Sequence, residues 1–215
     1  MADEPRSGAI PYAIGQASIV RIPVPGTNGL AIELKPRGRI PAGGSTSTLF
    51  IQDATGNRHL RLDYGYNAQT KTIDYHWNQK GTNAFFKIQN HTPAGSSGEG
   101  LYKASRYFRY GGRLLVVVGV GMDVYSIVTA SKPIRRASEV VTGWAGAWAG
   151  CEVFGGAGAA GGTAVAPGPG TAIGGVGGCI IGGIGGYWLG SKAGGAVYDW
   201  AEDTIFTPVP ETSKP

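Results

Sequence analysis

Five residues that could do chemistry together stand at alternate positions in two short stretches. They are His59, Arg61 and Asp63 in "RHLRLDY" (58–64), and Asp74 and His76 in "KTIDYHW" (71–77). An imidazole titrates near neutrality, a guanidinium meets developing negative charge, and a carboxylate can orient the imidazole. That set suits a nuclease or a transferase. All three histidines of the chain lie before residue 92, and His91 in "NHTPAG" either reaches the same site or begins a loop. Their spacing matches no metal motif, and no cofactor is expected.

The elements that must position these residues are β-strands. From residue 15 to 89, short β-branched or aromatic runs alternate with Gly, Pro and Asn turns, which predicts antiparallel strands over 16–24, 29–35, 47–53, 58–64, 71–77 and 83–89. In the fourth and fifth, Leu60, Leu62, Tyr64, Ile73, Tyr75 and Trp77 share the apolar parity. Matching those faces across a hairpin closed by "GYNAQT" matches the polar faces too. One register sets Arg61 opposite His76, His59 opposite Asn78 and Asp63 opposite Asp74. The plainer alternative is that polar residues alternate outward because that face is wet.

After the turn-rich residues 93–100, Lys103, Arg106, Arg109 and Arg113 recur at three, three and four and form one basic stripe on a helix, with Tyr102, Tyr107, Phe108 and Tyr110 among them. Cations and aromatic rings together suit a lipid headgroup region, and equally a nucleic-acid surface. Residues 114–131 follow, nearly all apolar, with the single charge Asp123. As a membrane span this segment is near the minimum length, and the Asp costs about 2.5 to 3.5 kcal/mol. As the core helix of a bundle it needs a partner for Asp123, with Arg135 and Arg136 the nearest cations.

Between Glu152 and Lys192, 39 residues carry no formal charge, and "APGPGT" (166–171) divides them into two arms of a hairpin. Gly174, Gly178, Gly182, Gly186, Gly190 and Gly194 repeat every four residues. Nine glycines lie between 171 and 191, and at about 1 kcal/mol each they disfavour an isolated helix by roughly 9 kcal/mol. A four-residue period places them on one side of a helix, where a second backbone can approach closely. The pattern therefore predicts a helix-packing face, with lipid as its natural setting because unbonded backbone is costliest there; the alternative is a soluble all-α half whose helices pack tightly through glycine. Trp144, Trp148, Tyr187, Trp188 and Trp200 fall near the ends of the arms, as interfacial anchors would.

The expected fold class is α+β: a flexible N-terminus (1–14), a small antiparallel β domain (15–92), a linker (93–100), a glycine-rich helical hairpin region (101–206) and a flexible C-terminus (207–215). Charge separates the parts, with seven Lys/Arg against three Asp/Glu in residues 99–140 and two against five in residues 141–215. The basic segment is the one suited to an anionic surface. Cys151 and Cys179 make no disulfide framework or metal spacing, so each is expected to be a buried, inert thiol. The opening "MADEPRSGAI" lacks the features of a secretory signal.

The stretches "LRLDYGYN", "DYHWNQKG", "YFRYGGRLLVVVGVGMDVYSIV", "GWAGAWAGCEVFGGAGAA" and "GGAVYDWAEDTIF" give residues 45–206 the look of the C-terminal toxin modules of polymorphic bacterial effectors. These include modules attached to PAAR or Rhs proteins and delivered by type VI secretion. The resemblance implies secretion without a signal peptide, a secretion-apparatus or chaperone partner, and a cognate immunity protein. Its implied function is an interbacterial toxin that inserts the glycine hairpin and depolarises the target's inner membrane, docking on anionic lipid through the basic stripe. Self-association through the glycines would then give a homo-oligomer. The alternative is an enzymatic toxin acting on RNA, a nucleotide or NAD through His59, Arg61, Asp63, Asp74 and His76, with the zipper serving translocation.

Overall fold

A computed structural model describes residues 7–34, 46–80 and 83–205. The fold is α+β. Helix α1 (Ala9–Gln16) leads into β1 (Ile22–Pro23), β2 (Ala31–Leu34), β3 (Thr46–Gln52), β4 (Arg58–Asn67) and β5 (Thr72–Gln79). A short helix α2 (Asn83–Phe86) precedes β6 (Thr92–Pro93). The strands form one antiparallel sheet in chain order, each paired with its neighbours in sequence. Helix α3 (Gly95–Tyr107) continues through a π-helical turn (Phe108–Gly112) into α4 (Arg113–Thr129), and α5 (Pro133–Val165) and α6 (Pro169–Ile205) complete the chain.

Several elements differ from the sequence expectation, each for a local reason. Residues 9–14, expected to be flexible, are helical, because Gly8 and Gly15 let α1 lie against Gly119 and Gly112 of the α4 region at backbone contact. Residues 1–6 and 206–215 lie outside the described residues. Helix α3 starts within the expected linker. The strand expected over 83–89 is replaced by a helical turn: adjacent Phe85 and Phe86 break the period of two, and Phe86 alone is fully buried.

The α5–α6 hairpin turns where "APGPGT" predicts, with Gly168 at φ +84° and Pro169 opening α6. The six periodic glycines all face α5. A methyl group on Gly174, Gly182 or Gly186 would lie within 2.2 Å of the carbonyl oxygen of Gly158, Gly150 or Gly146. Gly178, Gly190 and Gly194 meet Phe154, Thr142 and Ser138 in the same way. Backbone contact along the whole hairpin gains dispersion and Cα–H···O interactions that offset the poor helix propensity of glycine. This corrects the expected use of these glycines for self-association, since the chain's own α5 occupies them.

Cys151 and Cys179 are bonded to each other within that interface, with Cα atoms 3.7 Å apart, and are not free thiols. The crosslink closes a loop of 28 residues, and loop-closure entropy then gives about 3.6 kcal/mol. Reduction, or Cys151→Ser with Cys179→Ser, is expected to lower the melting temperature by several degrees, read by circular dichroism with and without reductant.

The sheet and the hairpin share one core. Ile22, Ile32, Leu49, Ile51, Leu60, Leu62 and Trp77 pack in a single cluster with Cys151, Ala159, Ala172 and Cys179. Glycine permits this approach as well: Gly155 sits against Ile22 and Gly175 against Ile32. Helix α3 covers the other end of the same sheet face through Tyr102, whose ring is 4.4 Å from Tyr64 and 5.6 Å from Tyr75.

Candidate functional site

The opposite face of the sheet carries the candidate chemistry. Polar and apolar faces match as parity requires, but the register differs from the expected one by two residues: Arg61 stands opposite Asn78, Asp63 opposite His76, and Gly65 opposite Asp74. The cause is the turn. Asn67 accepts hydrogen bonds from the amides of Gln69 and Thr70 and donates to Asp74, and Lys71 takes a left-handed φ of 56°. These interactions close a tighter loop after Asn67, so β4 runs three residues beyond Tyr64.

The shift sorts the five candidates. Arg61, Asp63 and His76 come together, with Arg61 Nε 3.1 Å from an Asp63 carboxylate that is almost wholly buried. Asn78 donates to the same carboxylate. His91 joins them, its ring 5.4 Å from that of His76. A left-handed backbone at His91 (φ 61°), where Thr92 bonds back to Gln89, turns the ring toward the sheet. The placement of His91 depends on that turn, which leaves only the short "QNHTP" as its mark in the sequence.

His59 and Asp74 are not part of this group. His59 bonds Asp53 at 3.1 Å in the β3–β4 turn, and Asp74 is held by Asn67 and Thr72 at the hairpin tip. Hydrogen bonds from Thr55 and then His59 hold the Asp53 carboxyl well below the usual carboxylate range. Burial pushes the His76 imidazole below its ordinary value, partly opposed by Asp63. A neutral imidazole beside a buried carboxylate is equipped to accept a proton at neutral pH. Among the described residues, no group of His, Cys, Asp and Glu is arranged to hold a metal ion.

The basic stripe is exposed along its length, in surroundings rich in tyrosine. Lys103 pairs with Glu99 at 2.7 Å. Arg106 donates to the Tyr102 hydroxyl and lies over the rings of Tyr102 and Tyr110, and Arg109 also lies over Tyr110. Arg113 opens α4. Tyr102, expected among the interfacial aromatics, is instead buried on the sheet.

Asp123 is fully buried, and its partners are not the expected arginines. It accepts from the Gly8 amide and from Trp144 Nε1, both at 2.8 Å, and from the Tyr187 hydroxyl at 2.7 Å. One carboxylate thus joins the start of α1 to α4, α5 and α6. Arg136 bonds Ser126 and Glu139, while Arg135 pairs with Asp199 and Glu139. Tyr187 is therefore internal and Trp144 partly buried, whereas Trp148, Trp188 and Trp200 remain more than half exposed.

Outside this network the helices present an apolar exterior. Leu114, Val117 and Val128 of α4 are 62%, 67% and 75% exposed, and Phe154, Ile181 and Leu189 continue the pattern on α5 and α6. The stretches Gly95–Thr129 and Pro169–Ile205 are each long and apolar enough to cross a membrane, and only 22% and 33% of their most apolar windows are buried. No protein-family profile, curated protein or solved structure matches the chain.

Proposed function

We propose that the helical half enters a lipid bilayer and that the chain acts as an interbacterial effector that depolarises the target's inner membrane. The observation that carries this reading is the outward apolar surface of α4 and α6, which the fold leaves uncovered while spending its glycines internally. An apolar helix that serves as the core of a soluble protein is mostly buried, whereas only 22% and 33% of the most apolar parts of these two stretches are. Helix α4 has 17 residues, about 26 Å at 1.5 Å per residue, close to the hydrocarbon thickness of a bilayer. Beyond Arg113 at its start, its one charge is Asp123, which is already satisfied by three donors. Lys103, Arg106, Arg109 and Arg113 precede the apolar segment and Lys132 follows it, where anionic headgroups would meet them.

In this reading the hairpin enters as a preformed unit, and any homo-oligomer forms through the outer residues of α4 and α6 and not through the glycines. A cognate immunity protein or a secretion chaperone would cover the same apolar face. Bacteria expressing the full chain are expected to lose membrane potential, read with a voltage-sensitive dye. Leu114→Glu with Val117→Glu changes exposed side chains only, so it should leave the fold intact and abolish the loss. Unaltered depolarisation by that variant contradicts the reading.

A second reading has its own observation: Arg61, Asp63, His76 and His91 converge on one patch of the sheet. There His76 would act as general base, positioned by Asp63, on an anionic substrate.

A further inference from the structure

Beside that patch lies a cavity of about 320 Å³, lined by Arg58, Arg61, Lys80 and His91 together with the amides of Asn78 and Asn90. Among the described residues, no carboxylate lines it, and neither Arg58 nor Lys80 has a carboxylate partner. Arg58 is instead held with its guanidinium 4.2 Å over the Phe50 ring, a contact that fixes its position without neutralising it. Lys80 is placed by its own amide, which bonds the His59 carbonyl at 2.7 Å. Three permanent cations around one opening, of which only Arg61 is paired with a carboxylate among the described residues, that of Asp63 behind it, make an anion site, and two of them are guanidinium groups suited to phosphate oxygens.

The amides add a second requirement. Asn78 is more than nine-tenths buried, and its Nδ2 is committed to Asp63, which leaves Oδ1 buried without a partner. A buried acceptor without a donor costs about 1–3 kcal/mol. Asn90 accepts from the Gln79 amide through Oδ1, so its NH2 group is the part available to donate. A ligand that satisfies the cavity is therefore an anion that also carries hydroxyl groups, one of which donates to Asn78. The volume lies at the lower end of the range for small-molecule sites and exceeds what a bare phosphate fills. Among the described residues, no aromatic ring other than His91 lines the cavity, which favours a sugar over a stacked base.

The geometry points to a binding site for a sugar phosphate, or the ribose phosphate part of a nucleotide, with the phosphate between Arg58, Arg61 and Lys80 and a hydroxyl on Asn78. This rests on the second reading for its location only, since binding and turnover are separate properties of the cavity. The test is calorimetric titration of the full chain with ribose 5-phosphate, inorganic phosphate and ribose. Saturable binding is expected for ribose 5-phosphate, at least tenfold weaker binding for inorganic phosphate, and none for ribose.

Lys80→Gln and Arg58→Gln should each weaken ribose 5-phosphate binding at least tenfold with unchanged circular dichroism. Arg61 is left intact because its loss would strip buried Asp63 of its cation. No saturation, or equal affinity in both folded variants, overturns the assignment. So does Lys80-dependent binding to phosphatidate vesicles without binding of the free sugar phosphate, which would make the cluster a headgroup contact. Saturable binding with the sugar phosphate recovered intact supports the site as a binding site.

Discussion

Replacing Gly182 and Gly186 together by leucine is expected to unfold the entire chain, not the hairpin alone. A Cβ at either position would sit about 2 Å from a carbonyl oxygen of α5, and a backbone atom cannot swing aside as a side chain can. Overpacking against movable neighbours costs about 1–3 kcal/mol per site, so two leucines against backbone should cost about 6 kcal/mol or more. That is comparable with the whole stability of an ordinary domain. The sheet should melt with the hairpin because Ile22 and Ile32 pack directly on Gly155 and Gly175. Reading the sequence as separate head and hairpin leads to the opposite expectation, a folded β domain without its hairpin. The sheet and helix bands of the amide I infrared spectrum, recorded on one sample, decide between them: both should be lost together. Gly177→Ala and Gly185→Ala provide the contrast. Neither position has an atom within 4 Å, so each should stabilise the helix by up to about 1 kcal/mol.

Asp123→Leu is expected to be nearly as damaging. It removes the acceptor of three donors, the Gly8 amide, Trp144 Nε1 and the Tyr187 hydroxyl. Each buried donor left alone costs about 1–3 kcal/mol, which sums to about 5 kcal/mol and a fall of about 10 °C or more in melting temperature. Asp123→Asn keeps one acceptor oxygen but turns an amide NH2 toward a donor, so its loss should fall between wild type and Asp123→Leu. Equal stability of all three proteins would show that the network does not hold α1 to the helical layer.

The parts of this fold legible in the sequence are those set by local periodicity. The four-residue recurrence of glycine marks the face that α5 occupies, and strand parity separates Leu62 and Tyr75 from Asp63 and His76. What periodicity does not carry is translation along an element. The hairpin register depended on where Asn67 closes the turn, so Arg61 and His76, expected to face each other, stand two residues apart in register. The partners of Asp123 were hidden for a different reason: Gly8 is 115 residues away, and no local pattern reports such a contact. The disulfide was hidden as well. Counted from the turn at 166–171, Cys151 lies 15 residues before and Cys179 eight after, so only the close pairing of the two arms, seen in the structure, sets them opposite each other.

The central claim is that the outer face of α4 meets acyl chains. Because the two native cysteines are bonded to each other, Val117→Cys supplies a single free thiol for a spin label on that face. The collision rate of the label with oxygen, which concentrates in hydrocarbon, is compared with its collision rate with a water-soluble nickel chelate, in buffer and on anionic vesicles. The account predicts a chelate-accessible label in buffer that becomes oxygen-accessible and chelate-protected on vesicles. A label that stays fully chelate-accessible, on folded protein mixed with the same vesicles, would contradict it.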